Sequence, residues 1–188
     1  MIELIKKYKV FIILMVVFLL VFYLLFITNG GSYDDNVLDI KYSSKEVLTI
    51  NNVLPITDAV GKDIDVQNNK EGITQYLEFE VNSVVDGRVK FEIYLTKNSV
   101  DSEIPDKFVK LYLTDQNDTP LKNFDNAAIP TYYDLKVSDI EPSGKLIYSG
   151  VLKNKESKRF KLRMWVADTY ELTTDTKSFS AKLNVKVK

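Results

Sequence analysis

Two kinds of hydrophobic pattern divide this chain. From Val10 to Ile27 eighteen consecutive residues are apolar (VFIILMVVFLLVFYLLFI), whereas from Val37 onward apolar residues recur mostly at every second position. At ~1.5 Å per residue the continuous run is ~27 Å long as a helix, close to the thickness of a bilayer's hydrocarbon core. Lys6, Lys7 and Lys9 precede it and Asp34 and Asp35 follow it. By the positive-inside rule that asymmetry predicts a cytoplasmic N-terminus and an extracytoplasmic remainder. The expected organisation is a basic tail over residues 1–9, a single transmembrane helix over 10–27, a flexible neck over 28–36 containing Gly30, Gly31 and Ser32, and one domain over 37–188. A cleaved signal peptide is the competing reading. The run is longer than the usual apolar region of a signal peptide, ~7 to 15 residues, and no A-x-A site follows it, which favours a retained signal anchor.

Beyond the neck the period of two predicts strands with one buried and one wet face. In Arg88 to Thr96 (RVKFEIYLT), Val89, Phe91, Ile93 and Leu95 share a face opposite Lys90, Glu92 and Tyr94. Similar stretches are Val37 to Tyr42, Val47 to Val53, Ile73 to Asn82, Phe108 to Thr114, Tyr132 to Val137, Leu146 to Leu152, Arg159 to Val166 and Ser178 to Val187. Nine short strands without a convincing helical period predict an all-β fold, an antiparallel sandwich of the jelly-roll or immunoglobulin type. Its core is expected to include Phe91, Ile93, Phe160, Leu162, Phe179 and Leu183. The pair Asp86-Gly87 is the strongest hairpin signal. The two longest loops are expected between Asp58 and Asn69 and between Asp115 and Pro130.

Composition narrows the chemistry. The chain has no Cys and no His among its 188 residues. That excludes Ser-His-Asp triads, Cys-His dyads, thiolate redox centres and HExxH zinc sites, and it leaves stability to packing rather than disulfides. A carboxylate-pair glycosidase needs neither residue, but no such pair can be picked out by spacing. The reading is therefore non-enzymatic and without a cofactor. Setting Glu3, Lys6, Lys7 and Lys9 aside from 26 acidic and 25 basic residues leaves 25 against 22 outside, a mildly acidic exterior that argues against nucleic acid as a partner. Richness in Lys, Asn, Ile, Asp and Tyr, with a Cys-free exterior, leans toward a Gram-positive bacterium.

Few residues carry candidate chemistry. Asp58, Asp63 and Asp65, with Asn68 and Asn69 behind them, supply oxygen ligands of the type calcium takes, yet in no EF-hand spacing, and since Asp and Asn are also plain turn formers a solvated loop is the preferred reading, with no metal expected. Leu54-Pro55-Ile56-Thr57-Asp58 resembles a sortase signal but lies mid-chain, with Asp where that signal ends in Gly, and reads as a turn at a strand end. In RFKLRMWV, Arg159, Lys161, Arg163 and Trp165 share one face opposite Phe160, Leu162, Met164 and Val166. That face is expected to be exposed, either as a cationic surface shielded by an aromatic ring or as a contact patch for an acidic partner or glycan.

Leu38-Asp39-Ile40, then Leu48 to Pro55 (LTINNVLP) with Asp58, then Tyr76 to Asn82 (YLEFEVN) and Val89 to Leu95 (VKFEIYL) resemble the TasA and camelysin family of Gram-positive matrix and spore-surface proteins. The resemblance implies a jelly-roll-like sandwich that assembles by donating its N-terminal strand, here carrying Leu38 and Ile40, to a neighbour. This chain departs from that pattern in its long anchor and in having Ile56-Thr57 where a Pro-Gly-Asp turn is common. An anchored relative implies a place at a fibre base or as an accessory subunit in a biofilm matrix. Two functions thus remain: a cell-membrane structural or interaction protein, whose partners are the bilayer and other surface proteins or copies of itself, or an extracytoplasmic ligand-binding or accessory subunit of a membrane complex.

Overall fold

Eight strands form, and consecutive strands never pair. In the computed structural model, which describes residues 37–138, 144–172 and 177–188 together with Met15 and Phe18, they are β1 (Leu38–Tyr42), β2 (Val47–Ile50), β3 (Gln75–Ser83), β4 (Arg88–Lys97), β5 (Val109–Asp115), β6 (Lys145–Lys153), β7 (Ser157–Val166) and β8 (Phe179–Val187). They build two four-stranded sheets, a first of order β1-β3-β7-β5 and a second of order β2-β8-β4-β6, with every ladder antiparallel. The expected tail, transmembrane helix and neck fall outside the described residues, save Met15 and Phe18. Among the described residues no helix is long and apolar enough to cross a membrane.

The inward-facing residues do what their period predicts, but the face of β4 expected to be wet does not stay open: Lys90 is exposed, whereas Tyr94 is buried and Glu92 is buried among Ser138, Ser149 and Lys188, which bind its carboxylate. Phe79, Phe160 and Leu162 from the first sheet meet Phe91, Phe179 and Leu183 from the second, and all six are almost wholly buried. Phe160 is the centre of this layer, stacked on Phe79 with ring centroids 5.3 Å apart and edge-on to Phe91 at 6.2 Å, so aromatic faces and edges interlock across the two sheets.

Asp86-Gly87 does not close a hairpin. It turns the chain from β3 in the first sheet to β4 in the second, and Gly87 adopts φ +103°, a conformation open to glycine. The connection between β6 and β7 makes the same crossing beside it. Asn154 N donates to Gly87 O at 2.7 Å, Gly87 N donates to Asn154 Oδ1 at 3.1 Å, and Lys155 N donates to Val85 O at 3.2 Å. Two arches are thus sewn together by backbone groups that would otherwise be orphaned at the end of the sandwich.

Three segments expected as loop or strand behave differently. Residues 119–132 run along the outer edge of β5, where Leu121 N donates to Leu113 O, Leu111 N to Pro130 O and Tyr132 N to Val109 O, so that edge is covered. Tyr132 to Val137 is not a strand. The Asp134 carboxylate accepts from both Thr131 N (2.8 Å) and Thr131 Oγ1 (2.7 Å), closing a turn that leaves Tyr133 and Val137 exposed while Tyr132 and Leu135 are buried. A one-turn helix, α1 (Asp58–Lys62), stands inside the region expected as loop, with Thr57 as its N-cap accepting from Val60 N. The sortase-like stretch is thus a helix entry: Ile56 pairs with Ala167 beside the end of β7, and Thr57 caps.

Candidate binding face on the first sheet

Antiparallel register puts specific outward side chains in rows across the first sheet. Arg163 on β7 lies opposite Tyr76 on β3 and Tyr112 on β5. The next row joins Glu78, Lys161 and Thr114, and the one beyond joins Lys41, Glu80 and Arg159. Each row therefore brings a β7 cation against groups able to accept its charge.

Arg163 is the best-held residue of the face. Its guanidinium carbon lies 5.6 Å from the Tyr76 ring centroid and 5.9 Å from that of Tyr112. Its Nε donates to Ile64 O at 2.6 Å, Nη1 to Thr114 Oγ1 at 3.0 Å and Nη2 to Asp118 Oδ1 at 2.6 Å. The second Asp118 oxygen accepts from Lys161 Nζ at 2.7 Å. Hydrogen bonding from Lys161, helped by that from Arg163, holds the Asp118 carboxyl below the usual carboxylate range despite the opposing effect of burial. Asp118 reaches in from a tight turn at φ 61°, in which Asp115 Oδ1 accepts from Asn117 N and Thr119 N.

These groups line a cleft of about 560 Å³ that also touches Lys62, Asp63 and Asp65. Lys62 Nζ sits 5.6 Å from the Tyr112 centroid. With Asp118 compensating two cations, the cleft is polar, aromatic and close to neutral. It offers ring edges, hydroxyls and ammonium donors, the means for recognising a polar ligand by hydrogen bonding and stacking.

The alternation placed Arg159, Lys161, Arg163 and Trp165 on one side correctly, but their common exposure does not hold. Arg159 is open and paired to Glu80, and Lys161 is partly covered. Arg163 is buried, and Trp165 is fully buried, because the chain from Ile56 to Ile64 crosses this end of the face as a third layer. The indole Nε1 has no hydrogen-bond partner among the described residues. Gly61 and the Thr57 cap were the available signals for that cover, since together they make a short helix able to lie against a large ring.

Leu38 and Ile40 point inward from β1, Leu38 buried and Ile40 half-buried, in a strand docked on β3 of its own domain. Asp58, Asp63 and Asp65 do not converge. Asp58 pairs with Lys110 at 3.6 Å, Asp65 Oδ1 accepts from Gln67 N and Asn68 N, and Asn68 Nδ2 donates to Asp63 O. Among the described residues no group of three or more acidic side chains is arranged to hold a metal ion. No protein-family model, curated protein or solved structure matches the chain.

Proposed function

We propose that the chain is a membrane-anchored extracytoplasmic structural or interaction protein whose sandwich engages a neighbour through an edge or donated strand, in the manner of a matrix-fibre anchor or accessory subunit. The observation that carries the reading is β1. It is the first strand of the domain, hydrogen-bonded to β3 alone, and its inward side chains are one buried Leu38 and the half-buried Ile40 and Tyr42. It is only five residues long, and the apolar run that would anchor it lies just upstream. A strand held on one side only can be exchanged between copies, because pairing with any matching strand satisfies the same backbone donors and apolar pockets. The finer fold reading that accompanies this proposal is a jelly-roll-like wrap. Strands that alternate between sheets favour it over the immunoglobulin arrangement, whose first two strands are neighbours.

The test is complementation. A chain beginning at Ser43 is expected to be unstable alone and to be restored by a peptide carrying Val37 through Tyr42. The same peptide with Leu38→Asp and Ile40→Asp is expected to fail, because backbone pairing is kept while the pockets are left unfilled. A truncated chain that stays folded and monomeric without peptide overturns strand exchange.

The Tyr76–Arg163–Tyr112 cleft favours a second reading, an extracytoplasmic ligand-binding subunit of a membrane complex. Saccharides and small polar metabolites titrated against the full chain would report it, with Tyr76→Ala expected to abolish any binding found.

A further inference from the structure

The two sewn arches mark the pole of the sandwich where the described domain begins, and that pole has its own cleft, of about 500 Å³. Its floor is valine, including Val37, Val85 and Val187, and its rim is Arg88, Lys90 and Lys153, with Lys188 beside them and no acidic side chain among the lining residues. Lys188 is bound to Glu92. Arg88, Lys90 and Lys153 are exposed, and none makes an ion pair among the described residues.

One feature of the register runs against the rest of the protein. Arg88 on β4 stands directly opposite Lys153 on β6. Like charges directly opposite in an antiparallel ladder destabilise it, whereas the outer rows of the first sheet set Lys41 and Arg159 on either side of Glu80. A cationic cluster kept without internal compensation over an apolar floor is complementary to an anion attached to something apolar.

The chain's own layout says which anion is at hand. Val37 lines this cleft, and only residues 28–36 separate it from the apolar run ending at Ile27. Fully extended, that linker spans no more than ~35 Å. If Val10 to Ile27 enters a bilayer, the Val37 pole is held within that distance of its surface. We propose that this pole docks on anionic lipid headgroups of the membrane in which the chain is anchored, Arg88, Lys90 and Lys153 meeting the phosphates and the valine floor facing the boundary with the acyl chains. The proposal rests on the anchor reading given above.

The experiment uses the full chain in lipid nanodiscs and vesicles of phosphatidylcholine with and without phosphatidylglycerol. Vesicle flotation reads anchoring, and amide hydrogen exchange over residues 84–90 and 150–155 reads docking. Flotation is expected with both lipids. Exchange is expected to slow only with phosphatidylglycerol, and the protection to disappear at high salt. Arg88→Gln with Lys90→Gln and Lys153→Gln should keep flotation and leave the unfolding midpoint no lower, since facing like charges are removed, but lose the lipid-dependent protection; Arg88→Glu alone, which replaces that repulsion with an attraction, should weaken the protection too. A chain that does not float overturns both the anchor reading and the docking. Flotation with exchange indifferent to lipid charge overturns the docking alone. Equal protection in both lipids that is lost with Asp34→Asn and Asp35→Asn assigns the cleft to the chain's own acidic neck, which also overturns it.

Discussion

A Cβ built on Gly61 would lie 2.2 Å from Cε2 of Trp165 and no more than 2.5 Å from two further indole atoms. The absence of a side chain at position 61 is therefore what lets α1 rest on the ring. Gly61→Ala is expected to push the helix off or tilt the indole, at a cost of about 1–3 kcal/mol, the range for overpacking a closed site. Urea unfolding gives the loss, and a red shift in the emission of the single tryptophan shows whether the cover has lifted. Unchanged stability and emission would show that the helix does not bear on the ring.

Trp165 is expected to behave as a core residue despite its outward direction from β7. Trp165→Ala should cost about 3–5 kcal/mol, similar to Phe160→Ala. Arg159→Ala, on the same face but open to solvent, should cost far less than either. Midpoints from denaturant unfolding rank the three, and a Trp165→Ala value close to that of Arg159→Ala would contradict the covered face.

Acid should loosen the Asp118 clasp. A carboxyl held below its usual value stabilises the fold above the unfolded carboxylate value of about 3.9, and that stabilisation is lost as pH falls through the lower folded value. Asp118→Asn is thus expected to be less stable at neutral pH, to lose less on acidification, and to converge with the parent below that window. Parallel stability curves from neutral pH into acid would show that Asp118 contributes nothing through its charge.

At the alkaline end the relevant group is Tyr132, whose hydroxyl donates to Leu95 O at 3.2 Å. Burial, and then the charge of Asp106, push its phenol up to about 12. A raised value stabilises the fold below the unfolded phenol value of about 10, and the contribution is lost as pH rises from there through the folded value. Tyr132→Phe should lower stability at neutral pH by about 0.5–1.5 kcal/mol through the lost hydrogen bond and should flatten the alkaline decline. Unfolding midpoints across that range check both effects.

The residues show where sequence reasoning works and where it stops. Alternation is a local property, and it correctly assigned the inward faces at Phe91, Ile93, Phe160, Leu162, Phe179 and Leu183. It also put Trp165 on the outer side of β7, but a strand's period says nothing of what a distant segment lays over that side. Asp86-Gly87 announced a reversal, yet the turn residues do not encode whether the returning strand joins the same sheet or the facing one. The rows of the candidate site depend on register between β3, β5 and β7, which lie far apart in sequence. Lys161 and Arg163 could be nominated, whereas their partners Tyr76, Tyr112 and Asp118 could not. Tyr132 to Val137 failed for the opposite reason, a local one: Asp134 gives the backbone at Thr131 a turn to satisfy it instead of a ladder.

Because each strand alternates with the next between sheets, no ladder in this domain can form by zipping up from a turn. The pair of facing residues nearest in sequence, on the nearest pair of strands, is Tyr42 and Phe79, while β2 must wait for β8, where Thr49 finally meets Ser180. Chain-closure entropy is therefore spent before strand pairing returns anything, which places refolding in the slow, millisecond-to-second class of non-local β topologies. During synthesis β2 stays a single unpaired edge until nearly the whole domain has emerged. The delay also sets the order of completion: the first sheet cannot be finished before β7 is made, nor the second before β8, so the last quarter of the chain decides whether the earlier strands find their places.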